Sequence, residues 1–382
     1  MVHSGQLIGQ PFMASVDRSG TRSDKVNCVY IVRDYKVPAG YVAYIIGKDF
    51  PAEYAHNLST YCPQASVLYG VEDLSVFGDY DVIEVNSAGV YSIVYQNCSS
   101  DNVLFITNKC NSNCIMCPDS DASRCKEMPN RKDFLDRLID LIPSDTNHLT
   151  ITGGEPTLLK WDFIDILTQC KNKFPCTEFL MLSNARSLAN AEYRESFLNA
   201  VPQRFRLAVP IYGVDAATHD TITRAPGSFE QTLWALQNIG NRIELEIRIV
   251  VMRKTYQELP NIAKSLAEQI PFVSTVSIMG IELMGNAAID RNALWVDYTD
   301  TVPYIEQAIQ ILLHAGIDVK IYNYPLCNLP RSLWSMTPRS ITGYKIRYKD
   351  ECNHCIVKEM CGGFFFSTLH FEDITVYPIQ EV

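Results

Sequence analysis

Seven of the 13 cysteines fall into two sets whose spacing suits metal chemistry. The first is Cys110, Cys114 and Cys117, a C-x3-C-x2-C run inside LFITNKCNSNCIMCPDS. Three thiolates on one short loop can hold three irons of a [4Fe–4S] cube, and a fourth would be needed to close it. The loop therefore leaves one iron open to a small molecule. Zinc is the competing occupant, but it normally takes a fourth ligand and paired C-x2-C knuckles. The second set is Cys327, Cys352, Cys355 and Cys361, the last three reading ECNHCIVKEMCGG. Four thiolates can close a second cube or hold zinc in tetrahedral S4 geometry, and spacing alone does not separate the two. Cys28, Cys62, Cys98, Cys125, Cys170 and Cys176 are scattered and read as ordinary thiols.

These loops need elements to hold them. NVLFITN at 102–108 is a short apolar run bounded by polar residues and reads as a buried strand. The three-cysteine loop then sits at the C-terminal end of a strand, where α/β folds place their chemistry. Further strand-like runs lie at 149–154, 178–184, 204–213, 243–252 and 273–283, with a seventh candidate at 318–324. Amphipathic stretches at 131–142, 229–240, 256–270 and 296–316 read as helices between them. Strand and helix in alternation mean a parallel sheet with crossover helices. Six units are too few for an eight-stranded barrel, so the expectation is a partial (β/α)6 barrel open on one side.

Residues 1–100 are different. They carry half of the 20 tyrosines and many short β-prone runs. DVIEV at 81–85 and YSIVYQ at 91–96 flank a turn over 86–89 and predict a hairpin. The expected division is a β-rich N-terminal domain over 1–100, the partial barrel over 101–316 and a C-terminal cysteine domain over 317–382.

The chain has 382 residues, 33 Lys plus Arg against 43 Asp plus Glu, and a net charge of −10. An acidic chain lacks the basic stripe that nucleic acids and anionic membranes require. No apolar run reaches the roughly 18 residues of a membrane span. The N-terminus shows no secretory pattern, so a cytoplasmic location with reduced thiols is expected.

Taken together, the motifs resemble the radical SAM superfamily. The C-x3-C-x2-C loop follows the first strand. Gly153, Gly154 and Glu155, in Thr-Gly-Gly-Glu-Pro-Thr, end the second strand and are similar to the superfamily's Gly-Gly-Glu motif. Ser183 and Asn184 end the third, where ribose-contacting groups often stand. His219-Asp220, Arg224 and Gly227-Ser228-Phe229 resemble the peptide-modifying branch, and the C-x2-C-x5-C-G-G run resembles its SPASM or twitch auxiliary domains. The resemblance spans residues 101–365. It narrows, through Cys110-Asn-Ser-Asn-Cys-Ile-Met-Cys117, ITGGEPTLL and Asn323-Tyr-Pro-Leu-Cys327, to the His-Xaa-Ser system maturases.

That resemblance implies a [4Fe–4S] cluster on Cys110, Cys114 and Cys117 and S-adenosylmethionine on its open iron. Reductive cleavage would give a 5′-deoxyadenosyl radical that abstracts hydrogen from a precursor peptide. It also favours iron–sulfur over zinc on Cys327, Cys352, Cys355 and Cys361, as a second auxiliary [4Fe–4S] cluster. Phe365 stands where a further cysteine would open a third site, so one auxiliary cluster of twitch type is expected. Implied partners are the peptide, a low-potential electron donor and a second maturase protein of the same system.

Expected cofactor contacts are Gly153 and Gly154, through close backbone approach, and Glu155, as acceptor for the ammonium group or as a helix cap. Ser183 and Asn184 would serve the ribose. Met116 stands where the superfamily usually has an aromatic residue and would pack beside adenine. Arg248 would bind the carboxylate or pair with Glu244 or Glu246. No acid or base is nominated, because radical abstraction depends on proximity. Competing activities are a sulfatase-maturase-like oxidation of protein Cys or Ser, and a non-catalytic metal-binding scaffold.

Overall fold

The computed structural model describes residues 3–119, 121–343 and 345–381. The first seven strands are β1 (Gln6–Ile8), β2 (Phe12–Asp17), β3 (Cys28–Ile31), β4 (Ala43–Gly47), β5 (Ser66–Val71), β6 (Val82–Val85) and β7 (Tyr91–Tyr95). They form one mixed sheet in the order β1-β5-β4-β3-β2-β6-β7. β2 to β5 pair in parallel, β1 caps one edge antiparallel, and the β6–β7 hairpin closes the other. Alternation along β3 and β4 buries Val29, Ile31, Ala43 and Ile45 on one face and Tyr44 and Ile46 on the other. The helix Ala52–Tyr61 covers the second face with Ala55 and Leu58.

The second sheet is β8 (Val103–Phe105), β9 (His148–Thr152), β10 (Glu178–Leu182), β11 (Phe205–Pro210), β12 (Glu244–Val251), β13 (Thr275–Gly280) and β14 (Asp318–Tyr322). The strands lie side by side in chain order, all parallel. β8 and β14 are the free edges, so the fold is an open half-barrel. It holds seven strands, not six. The run at 318–324, assigned to the C-terminal domain by the sequence reading, hydrogen-bonds to β13 from Thr275↔Asp318 to Met279↔Tyr322. Its Val319 and Ile321 are buried like their neighbours and extend the core by one strand.

Period two explains how the barrel has an apolar outside and a polar inside. On β12, Leu245, Ile247, Ile249 and Val251 face the helices and are at most 2% exposed. Glu244, Glu246 and Arg248 take the other face. The helix Leu259–Gln269 answers with Leu259, Ile262, Ala263 and Leu266, at i, i+3, i+4 and i+7, all buried. Each fully buried Leu or Ile of that stripe contributes about 1.5–3 kcal/mol. The helix also packs on Tyr298–His314.

The two sheets share a core. Val82 and Tyr95 of the first sheet belong to the barrel's buried cluster. The Tyr95 hydroxyl meets Thr146 Oγ1 at 2.8 Å, and Arg137 Nη1 donates to Asn27 Oδ1 at 2.9 Å. After β14 the chain forms short 3-10 turns and a two-strand pair, β15 (Ile346–Arg347) with β16 (Phe364–Phe365). Among the described residues no helix is long and apolar enough to cross a membrane.

Candidate functional site

At the C-terminal ends of the half-barrel strands lies a cavity of ≈ 480 Å³. Cys110, Cys114 and Cys117 line it, and no fourth cysteine does. Gly153, Gly154, Ser183, Asn184 and Arg248 line it too. The structure thus brings together eight of the ten residues expected from sequence to hold the cluster or its cofactor, together with His219 and Ser228. It places two others elsewhere.

Met116 is one. It is 5% exposed and packs in the main core beside Ile115, away from the cavity lining. The loop turns its thiols to the cavity and its apolar pair, Ile115 and Met116, to the core. Glu155 is the second. It is fully buried behind the cavity wall, where Oε1 accepts from Thr157 N, Thr157 Oγ1 and Ser183 Oγ. Oε2 accepts from Asn184 N at 2.7 Å. Glu155 caps the turn Pro156–Leu159 and ties it to the end of β10. Burial holds its carboxyl above the usual carboxylate range, opposed by those hydrogen bonds.

The glycines also make room for the protein's own backbone. A Cβ on Gly154 would lie 2.8 Å from Asn108 O and closer still to the Lys109 carbonyl. A Cβ on Gly153, where φ is +150°, would strike the Thr107 backbone. What approaches this turn is the protein's own cysteine loop. Gly154 N donates to Thr107 O at 2.6 Å and Glu155 N to Lys109 O at 2.8 Å.

Two more elements grip the loop, and neither was legible in the sequence. Asn113 N and Ile115 N donate to Thr223 O and Ile222 O at the end of the helix Ala216–Thr223. From the far side Asn286, 5% exposed, donates through Nδ2 to Asn113 Oδ1 at 2.9 Å and Cys114 O at 3.0 Å. Its own N–H reaches Cys117 O at 2.9 Å. The two side-chain contacts span 173 and 172 residues, and a lone Asn after a strand carries no local signal.

Ser183 and Asn184 are already engaged. The Ser183 hydroxyl donates to Glu155 and accepts from Ala185 N, and Asn184 Nδ2 donates to Asn111 Oδ1 at 2.7 Å. Arg248 pairs through Nε with Glu246 Oε1 at 2.7 Å, and Ser277 Oγ donates to the same oxygen. Of the two expectations for Arg248, the geometry contains the ion pair with Glu246, and the residue also lines the cavity. Sequence reading placed His219 and Asp220 only by resemblance and missed Tyr212. His219 Nδ1 accepts from Tyr212 N at 3.2 Å, so the ring's proton is on Nε2. Burial lowers its pKa to about 4, Arg186 adds to this and Asp220 opposes it. Asp220 itself caps the helix Ser228–Ile239 through Gly227 N, Phe229 N and Ser228 Oγ.

Cys110 and Cys114 sit in an unfavourable medium for ionisation. Burial pushes Cys114 up to about 12, and the neighbouring Cys117 and Cys110 reinforce it. Cys110 is raised for the same first reason. Thiolates there need a bound cationic centre. Three half-buried thiols beside free volume, with a guanidinium alongside, fit an open-sided iron–sulfur cluster and an amino-acid-bearing cofactor.

Cys327, Cys352, Cys355 and Cys361 also converge, on a second and far smaller cavity of ≈ 20 Å³. Leu326 N and Gly363 N both donate to Cys361 Sγ at 3.4 Å. Tyr348 and the tail residues Val376, Tyr377 and Pro378 close it. Among the described residues no three His, Cys, Asp or Glu side chains are drawn in tightly enough for a single-ion site.

Comparison with known proteins bears on the first cavity. Residues 104–266 match the model of the Radical SAM superfamily, whose members use a [4Fe–4S] cluster and S-adenosylmethionine. The curated AdoMet-dependent heme synthase of Nitratidesulfovibrio vulgaris (strain Hildenborough) is 28% identical over 174 residues, 44% of this chain and 45% of that protein. The chain thus spans about half the length of the curated relative it matches. Among solved structures, native anSMEcpe with bound AdoMet and Cp18Cys peptide is similar at 14% identity and TM-score 0.44, covering 57% of this chain and 62% of the other. TYW1 with a lysine-pyruvate adduct bound gives 16%, 0.40, 55% and 72%.

Proposed function

We propose that the chain is a radical S-adenosylmethionine enzyme that oxidatively modifies a ribosomally made precursor peptide of the His-Xaa-Ser type. The observation that carries this reading is the contrast between its two cysteine cavities. One has three thiols and ≈ 480 Å³ of space; the other has four thiols and ≈ 20 Å³. The first suits a cluster with a vacant coordination position, the second a fully ligated one.

Cys110, Cys114 and Cys117 would hold the catalytic cluster, and Cys327, Cys352, Cys355 and Cys361 the auxiliary one. Bound in the first cavity, the cluster and S-adenosylmethionine supply one-electron cleavage of the cofactor and hydrogen abstraction from substrate. The chain's own task is placement. Arg248, oriented by Glu246, offers its terminal N–H groups to a carboxylate. Glu155 fixes Ser183 and Asn184, and the Gly153–Gly154 turn fixes the cysteine loop. His219, whose pKa burial lowers, lines the cavity as an uncharged imidazole and adds no charge to the guanidinium groups of Arg124, Arg186 and Arg248 there. The closed auxiliary site is suited to accepting the electron left by an oxidised substrate.

The match to a heme synthase favours a second reading, radical chemistry on a small molecule held in the same cavity. One experiment separates the readings. Anaerobically reconstituted protein is incubated with dithionite, S-adenosylmethionine and a peptide bearing His-Xaa-Ser repeats. Deoxyadenosine with a matching loss of hydrogen mass from the peptide supports the proposal. Deoxyadenosine with an unaltered peptide refutes peptide modification and leaves the small-molecule reading. A mass change confined to a Cys or Ser of a sulfatase-type peptide would indicate the maturase-like alternative.

A further inference from the structure

Arg124 was not singled out by any motif, yet it lines the cavity with all three cysteines of the first set. Its Nη1 donates to Ser112 O at 2.7 Å and to Asn113 Oδ1 at 3.2 Å, two residues lying between Cys110 and Cys114. Its Nε is buried and has no hydrogen-bond partner. A guanidinium with an unpaired donor in a half-buried setting calls for an anion. The other charges around the loop do not meet that need. Glu155 is buried behind the wall and saturated by four donors. Of the other cations, Arg248 is paired with Glu246, Lys109 has its Nζ on Arg124 O and near Glu127, and Arg186 bonds the loop at Asn111 O and Ser112 Oγ with its Nε on Gln231. Asp119 lines the same cavity without an ion pair to Arg124.

We infer that Arg124 is a positioning residue for the catalytic cluster, balancing the charge of its three thiolates and so raising the cluster's reduction potential. The inference rests on the reading that Cys110, Cys114 and Cys117 hold an iron–sulfur cube. The reduced cube carries one more negative charge than the oxidised one, and a fixed cation beside it favours the reduced form. Arg suits the task better than Lys because its fork can hold the loop carbonyl with one arm and face sulfur with another.

The test is an EPR-monitored redox titration of reconstituted holoprotein, with iron content measured in parallel. A double variant, Cys352→Ala with Cys355→Ala, removes the auxiliary signal. In that background R124Q and R124K are compared with the parent. R124Q keeps a donor for Ser112 O and loses the charge. R124K keeps the charge and loses the fork. The expected result is a reduced-to-oxidised ratio at least tenfold lower in R124Q at fixed applied potential, a shift of about 59 mV or more for one electron. R124K should stay within about threefold of the parent, since its charge remains. Equal potentials in parent and R124Q, or equal shifts in R124Q and R124K, would overturn the inference. If the parent itself binds no iron and shows no cluster signal, the underlying reading fails instead. Should R124Q lose iron while R124K keeps it, the iron content carries the same charge comparison and supports the inference. Loss of iron from both would overturn it in favour of a purely structural tie.

Discussion

Replacing Gly154 by alanine tests the claim that this turn is a clamp on the cysteine loop. The added Cβ would sit 2.7 Å from the Lys109 carbonyl carbon and 2.8 Å from Asn108 O. Unstrained carbon contacts begin at about 3.5 Å, so roughly 1 Å of movement is required. Every obstructing atom is backbone, and no side chain can rotate to give way. Overpacking of this kind costs about 1–3 kcal/mol. The loop is the softer partner, since β9 is held between β8 and β10. The shift therefore falls on Lys109 and on Cys110 next to it. A displacement of about 1 Å at reacting groups can cost roughly a hundredfold in rate. G154A should thus fold, lose about 1–3 kcal/mol in urea denaturation, and lose iron and deoxyadenosine production far more than its stability loss explains. G343A is the control: nothing lies within 4 Å of its Cβ position, and it should match the parent within about 0.5 kcal/mol. A G154A protein with parental stability and iron content would refute the clamp.

Other outcomes follow from the same geometry. Asn286→Ala removes two buried donors to the loop, at Asn113 Oδ1 and Cys114 O, and should cost about 1–3 kcal/mol in chemical denaturation. His219 has a folded pKa of about 4 against 6.5 unfolded, so the unfolded state takes up the proton first. Its stabilising contribution is complete above pH 6.5 and is lost as pH falls toward 4, by up to about 3 kcal/mol. H219Q should flatten that acid limb in urea midpoints measured between pH 7 and pH 5, and an unchanged slope would contradict it. Deleting residues 373–382 removes Val376, Tyr377 and Pro378 from over the four-cysteine cavity. Iron should then fall on air exposure from about eight per chain toward about four while the catalytic loop keeps its own.

What the sequence disclosed and what it hid divide along sequence separation. The two cysteine loops were legible because coordination chemistry is written in local spacing. The strands were legible because period-two burial separates Leu245, Ile247 and Ile249 from Glu246 and Arg248 within one short run. The seventh strand was visible as a run, but its pairing with β13 was not, because a 17-residue helix intervenes. The burial of Met116 in the core was not legible because the loop's orientation is set by Thr223 and Asn286, far along the chain. The Gly-Gly-Glu run was recognisable as a motif. That its glycines make room for a peptide backbone, and that its carboxylate serves Ser183 and Asn184, depends on contacts no motif encodes.

The continuous core shared by the two sheets has a metric consequence. Val82 and Tyr95 are packed into the same apolar mass as the barrel helices, and Arg137 is latched to Asn27. The first sheet is therefore not a bait on a string. A peptide anchored on it would be offered to the cavity from a fixed heading, and the number of residues between anchor and reacting position would act as a ruler. Lengthening such a peptide between those points would move the reaction to a new residue at constant spacing, whereas a tethered module would tolerate the insertion.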